Sequence, residues 1–152
     1  MKKRGMGWRE WVALPDLEIE KIKVKVDTGA RSSVLHAEEV SFFKLKGQKK
    51  VRFVIYPIQR DNRKKIIAEA HFLGFRYVRS SSGHEETRPV IQTTLAVNGL
   101  SWPIEITLTN RDIMGFRMLL GRQALKDFVI LPNRSFLLDK NIIYKKLKEN
   151  KL

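Results

Sequence analysis

Apolar and polar residues alternate with a period of two along much of the chain, the pattern of strands with one buried and one wet face. Ile22-Lys23-Val24-Lys25-Val26 sets Ile and Val on one side and Lys on the other, and the run stops at Asp27. Residues 51–58 read as a strand halted near Pro57, and residues 66–78 as a longer one in which Gly74 is a candidate bulge. The apolar runs 90–97 and 102–108 flank Asn98-Gly99, a pair that tolerates the positive φ angles of a two-residue hairpin turn. Residues 117–120 form a short apolar strand ending at Gly121, and residues 122–126 suit one or two helical turns. Two closing strands are expected at 128–131 and 136–138, followed by an amphipathic, basic tail over 141–152. Short strands punctuated by turns predict an all-β barrel or sandwich, and 152 residues suit a single domain, 1–152.

Composition narrows the chemistry. The chain has no Cys, which excludes a thiolate nucleophile and Cys-based zinc sites. Its apolar runs are a few residues long, far short of a membrane-spanning helix, and its first residues lack the apolar stretch of a signal peptide. A cytoplasmic location without membrane contact is therefore the expectation. Thirty Lys and Arg against sixteen Asp and Glu give a formal charge of +14, a field that attracts nucleic acid, anionic membrane or acidic peptide alike. The excess clusters at residues 2–4, 44–52 and 60–65 and in the tail, most of them read as solvated loops or ends. No aromatic interleaving of an RNA-binding motif accompanies it, so nucleic acid is not the expected partner. Trp8, Trp11 and Trp102 read as core or interface residues.

One carboxylate stands apart. Asp27-Thr28-Gly29-Ala30 follows the alternating strand, so Asp27 sits where the chain leaves the sheet, and Gly29 permits close backbone approach. The tripeptide alone also suits an ordinary strand-end turn. A second element changes the reading: Met118-Leu119-Leu120-Gly121-Arg122 runs an apolar strand into Gly and then into Gln123-Ala124-Leu125.

In the pepsin and retroviral protease fold, an apolar-apolar-Gly segment of this kind crosses beside the Asp-Thr-Gly strand, and the sequence resembles a retropepsin on these two elements. A closer resemblance covers nearly the whole chain. Gly7 to Val12, Lys25 to Ser33, Leu35-His36-Ala37, Arg88 to Ile91, Trp102 to Glu105, Thr109-Asn110-Arg111 and Met118 to Ala124 are similar to one bacterial family of retropepsin-like peptidases. That family was formerly labelled putative ATP-dependent zinc protease and is linked to glutamate-adding ligases. The resemblance implies a retropepsin-like closed barrel with one short helix after the Leu-Leu-Gly strand. It also implies an aspartic endopeptidase with Asp27 as catalytic carboxylate and Thr28, Gly29, Ala30, Leu120 and Gly121 supporting the active-site loop.

The older label does not fit the residues. His-Glu-x-x-His is absent, and His36, His71 and His84 each stand alone in sequence. No Gly-x-x-x-x-Gly-Lys-Ser/Thr loop is present to cradle ATP phosphates. Neither a metal nor a cofactor is expected.

An aspartic peptidase needs two carboxylates sharing one proton, one acid protonated and the other activating water. Only Asp27 has the Asp-Thr-Gly context; Asp16, Asp61, Asp112, Asp127 and Asp139 lack it. A homodimer in which two copies of Asp27 meet on a two-fold axis is therefore expected, with Thr28 bracing the halves as the resemblance implies. Ala30 stands where Ser or Thr would donate a hydrogen bond to the ionised acid, which moves the expected activity towards neutral pH.

Residues 79–88, containing Ser82, Gly83 and His84, are the candidate flap, equally readable as an exposed loop. Arg31, Arg79, Arg88, Arg111 and Arg117 are candidates to line an anionic cleft. Arg31, Ser82, Gly83, His84, Arg88 and Arg111 together form the candidate substrate-binding set, for a peptide or protein substrate that is acidic or glutamate-rich. Three other readings stay open: a non-catalytic retropepsin-fold module that dimerises or binds peptides, a basic β-barrel that binds nucleic acid, and a metallopeptidase built on converging His.

Overall fold

The computed structural model describes residues 2–80, 82–140 and 143–145. Among them are twelve strands: β1 (Lys2–Gly7), β2 (Arg9–Leu14), β3 (Ile19–Val26), β4 (Ser33–His36), β5 (Glu38–Leu45) and β6 (Gln48–Ile55), then β7 (Ile66–Arg79), β8 (Glu85–Val97), β9 (Leu100–Thr109), β10 (Met118–Leu120), β11 (Phe128–Leu131) and β12 (Ile143–Lys145). Single 3-10 turns occupy Pro15–Leu17, Arg122–Ala124 and Leu138–Lys140. The expected short helix after Gly121 is the second of these.

Nine strands form one sheet in the order β2-β3-β10-β4-β9-β8-β7-β6-β5. One further pairing, Ala13 with Ala96, bridges β2 to β8 and curls the first six strands into a ring. Closure by a single bridge leaves the barrel short of a full ladder, and β7, β6 and β5 extend the sheet beyond β8. A small second sheet sets β1 between β11, parallel, and β12, antiparallel. The N-terminal basic cluster is therefore strand rather than a loose end.

The alternation in β3 is realised directly: Ile22, Val24 and Val26 are buried, while Lys21, Lys23 and Lys25 face outward. Ile22 and Val24 join Leu35, Phe53, Ile91, Leu95, Ile106 and Leu120 in the core. Each such side chain contributes about 1.5–3 kcal/mol when removed from water. Asn98 and Gly99 adopt φ of 47° and 82°, as the β8–β9 hairpin requires, and Gly74 (φ 121°) marks a register shift between β7 and β8.

Three expectations give way. Residues 44–52 are not a loop but the β5–β6 hairpin, turned by Lys46 and Gly47, both at positive φ. The strand expected from residue 51 ends at Ile55. Residues 136–138 form no strand, because the amides of Leu137 and Leu138 donate to the buried carboxylate of Glu10, at 2.9 and 3.1 Å, instead of to a neighbouring strand. Glu10 also accepts from the Gly7 amide at 2.6 Å, so one acid ties the start of β2 to the C-terminal region. The tail 141–152 lies outside the described residues except for β12.

Candidate active site

Strand β10 lies between β3 and β4, the two strands that flank the Asp27 loop. It runs parallel to β3, with Met118 opposite Val24 and Leu120 opposite Val26, and antiparallel to β4, with Met118 opposite Leu35. Three buried apolar residues in a row let β10 pair on both edges with both faces covered. Its end meets the loop: the Asp27 amide donates to the Leu120 carbonyl at 2.8 Å, the Arg122 amide to Ala30 at 2.8 Å, and the Gln123 amide to Arg31 at 3.1 Å. Arg122 also donates through its guanidinium to the Thr28 carbonyl at 3.1 Å.

Gly121 is the fulcrum of this junction. A Cβ there would stand 2.8 Å from the Arg31 carbonyl oxygen and nearer still to the Ser32 carbonyl, so only glycine fits. Its amide donates to the buried Ser33 hydroxyl at 3.1 Å. The Gly29 amide donates to Asp27 Oδ1 at 3.0 Å and orients the carboxylate. Gly29 does not have positive φ; its role is closeness, since a Cβ there would lie 3.3 Å from that oxygen. Asp27 and Ala30 are half-buried, and Thr28, Gly29 and Arg31 are exposed.

The candidate flap is the tip of the long β7–β8 hairpin. Its irregular part is narrower than expected, because β8 begins at Glu85, paired with Arg79 by both backbone and side chain. At the tip the Gly83 amide donates to the Ser80 carbonyl at 2.9 Å, the Ser80 amide to His84 at 2.8 Å, and the Ser80 and Ser82 hydroxyls lie 2.9 Å apart.

Below the tip, three of the candidate substrate residues gather around Glu86. Arg88 donates to Glu86 at 2.7 Å, Thr109 donates to the same oxygen at 2.7 Å, and Arg111 and His84 approach the other at 3.8 and 3.7 Å. The Arg111 guanidinium and His84 Nε2 are 2.9 Å apart. Burial alone would raise the Glu86 carboxyl, but the bonds from Thr109 and Arg88 and the charges of Arg88 and Arg111 outweigh it and hold it below the ordinary range. Arg88 and Arg111 are thus engaged within the chain, as is Arg117 with Asn62 at 2.5 Å and the Ile58 carbonyl at 3.3 Å. Of the five arginines expected to line an anionic cleft, Arg79 is also paired, with Glu85, and Arg31 is exposed.

Arg76 connects the two groups, donating to the Ser32 hydroxyl at 2.9 Å and to Glu105 at 2.8 Å, so the hairpin is fastened to the loop that follows Asp27. Arg76 and Ser33 are not among the expected site residues, and Glu86 enters the expectations only as part of the 79–88 flap. Glu86 carries a usable signal, because Glu86, Arg88 and Val90 continue one inward-facing, period-two row of β8. Among the described residues no group of three His, Asp or Glu is placed to hold a metal, and no helix is long and apolar enough to cross a membrane.

A family model described as retropepsin-like aspartic endopeptidase RimB matches residues 5–141. The chain belongs to this RimB-like family. A protein of Desulfotalea psychrophila, named probable alpha-L-glutamate ligase, is 43% identical over 129 residues, which cover 85% of this chain and 28% of that protein. One of Shewanella pealeana with the same name is 41% identical over 134 residues, covering 88% of this chain and 29% of that protein. The chain therefore spans less than a third of these curated relatives. The crystal structure of a Legionella pneumophila protein of unknown function aligns with a TM-score of 0.71 at 27% identity, over 87% of this chain and 95% of that one. Family membership bears out the retropepsin-like fold and the resemblance read from the sequence.

Proposed function

We propose that this RimB-like chain is one half of a homodimeric aspartic endopeptidase in which Asp27 pairs with Asp27 of a second copy. The observation that carries the reading is the junction of Asp27 with Leu120 and Gly121: a half-buried carboxylate at a strand end, oriented by the Gly29 amide and fixed from below by β10. A single such acid cannot both activate water and polarise the scissile carbonyl. Two related by a two-fold axis can, because repulsion between them keeps one protonated. The ionised member takes a proton from water as the oxygen attacks the carbonyl carbon. The protonated member donates to the carbonyl oxygen, and collapse of the tetrahedral intermediate releases the amine as it gains a proton. The β7–β8 tip is the element that would cover the substrate.

An acidic or glutamate-rich peptide is the proposed substrate class. Support comes from the +14 charge and from the relatives named as glutamate ligases. Their ligase name also favours a second reading, a non-catalytic module that binds peptide. Wild type and Asp27→Asn assayed on glutamate-rich peptides, with and without chelator, separate the two. Cleavage by wild type alone, insensitive to chelator and rising with the dimer fraction seen by sedimentation, is expected. Equal turnover by the variant would exclude Asp27 chemistry, and binding without cleavage would establish the module.

A further inference from the structure

The outward face of β2 and β3 carries a cationic surface that the Asp27 junction does not use. Across the two strands Arg9 lies opposite Lys25 and Trp11 opposite Lys23. Like charges directly opposite one another destabilise a strand pair, so the Arg9–Lys25 rung is a local cost that an anion can offset.

Ring faces hold these cations. Arg9 sits 4.7 Å from the Trp8 centroid and 4.9 Å from that of Phe136, Lys21 lies 4.4 Å from Trp11, and Lys23 lies 5.7 Å from Trp11 and 5.9 Å from Phe116. A π face positions a cation without neutralising it, whereas a carboxylate does both. Among the described residues, Arg9, Lys21 and Lys23 take part in no salt bridge.

Residues 57–64 form the opposite wall of an open cleft of about 720 Å³ and add Arg60 and Lys64. This wall is anchored, with Arg117 donating to the Ile58 carbonyl and to Asn62, and the Arg60 guanidinium lying close over Gly115. Its one acid, Asp61, is bound by Arg63 at 2.8 Å and does not line the cleft. The cleft is therefore lined by five cations and three aromatic rings with no carboxylate.

We propose that this cleft binds the acidic stretch of a peptide, as a site separate from the one where the bond is cut. On the regular part of β3, Lys23 and Lys25 stand about 6.7 Å apart, the interval at which an extended peptide presents side chains on one face, and Lys21 lies just beyond, at the register shift of the β2–β3 pair. The row leads to Asp27, about 13 Å of extended chain beyond Lys23. Carboxylates held along β3 thus place a downstream bond near Asp27. Single-stranded nucleic acid fits less well, because it gains from stacking on open aromatic faces. Here Trp11 is stacked on Phe136 and capped by Lys21, and Trp8 meets Phe116 and Arg9.

The cleft would hold the acidic substrate of the peptidase reading, and it rests on that reading only for the cleavage step after binding. The test is fluorescence anisotropy of a labelled deca-glutamate peptide on the full chain at low salt. Lys21→Gln/Lys23→Gln is compared with Lys49→Gln/Lys50→Gln, which removes equal charge from β6, and circular dichroism checks that both fold. The cleft variant is expected to weaken binding about tenfold and the control less than about twofold. Asp27→Asn should bind like wild type. Equal losses in the two lysine variants would overturn the site, leaving net charge as the cause. Tighter binding of a uridine decamer, lost in the cleft variant, would overturn the peptide assignment. Normal binding with no cleavage by wild type would sink the peptidase reading and leave this one standing.

Discussion

The backbone amide of Asp27 donates to the carbonyl of Leu120 at 2.8 Å, joining the end of β3 to the end of β10. That bond sets how the carboxylate is fixed. It continues the parallel pairing of Leu120 with Val26 by one residue past the strand, so the loop leaves the sheet at a set point and angle. The chain must then turn within Gly121, whose amide goes to Ser33 and whose α-carbon has backbone on the side where a Cβ would project.

Gly121→Ala is therefore expected to destabilise the fold. The atoms that the methyl group meets are the carbonyls of Arg31 and Ser32, which cannot swing aside as a flexible side chain can. A loss of about 2–3 kcal/mol is expected, seen in thermal unfolding as a fall of about 4–12 °C. Gly29→Ala is the contrasting case. Its Cβ meets only Asp27 Oδ1, at 3.3 Å, and its backbone is not left-handed, so stability should change by less than about 1 kcal/mol. Turnover should still drop, because the methyl group presses on the carboxylate. Equal melting temperatures for the two variants would show that the Gly121 contact relaxes and that the junction is looser than described.

How much of this is legible in the sequence depends on whether a residue's role is local. Alternation places β3 and its inward Ile22, Val24 and Val26, and the Asn98-Gly99 turn is readable because positive φ is a property of those residues themselves. The pairing of Asp27 with the Leu120-Gly121 strand is readable only through resemblance to a fold, since no local rule sets β10 between β3 and β4. Glu10 is invisible as a clasp, because its partners Leu137 and Leu138 lie at the other end of the chain. The same long-range competition removes the strand expected at 136–138. Trp11 reads in sequence as a core or interface residue. Its place on the outward face of β2 opposite Lys23 comes from the register with β3, which the composition of the strand does not specify.

Glu86 gives a pH test. Its folded carboxyl is held below the ordinary value of 4.5, so the unfolded chain binds its proton first as pH falls. The stabilisation is fully present above 4.5 and fades as pH drops through the lower, folded value. Glu86→Gln should cost about 1–2 kcal/mol at neutral pH, through weakened bonds to Arg88 and Thr109, with partial exposure keeping it below the loss for a fully buried pair. Urea unfolding of wild type and variant at pH 7, 5, 4 and 3 checks the sign. The gap should hold between pH 7 and 5 and shrink below 4.5. A gap that widens towards acid would mean that the variant, not the wild type, loses a charge-dependent contact there.

Ala30 gives the last test, and it bears on the chemistry rather than the fold. Ala30 is half-buried, its amide donates to the Asp27 carbonyl at 3.2 Å, and its own carbonyl receives the Arg122 amide. The backbone at this position is thus held while the side chain is a bare methyl group. In the proposed dimer, a hydroxyl added there that reaches an Asp27 carboxylate would favour its ionised form. Ala30→Ser is expected to keep the melting temperature within about 2 °C, since one small oxygen is added. It should move the acid limb of the pH–activity profile to lower pH by about half a unit to one unit, the shift produced by roughly 1 kcal/mol of preference for the charged form. Initial rates on one acidic peptide across pH 4 to 8 measure it. An unmoved acid limb with intact turnover would mean that the added hydroxyl points away from the proposed acid pair, and that the near-neutral activity expected of this chain has another origin.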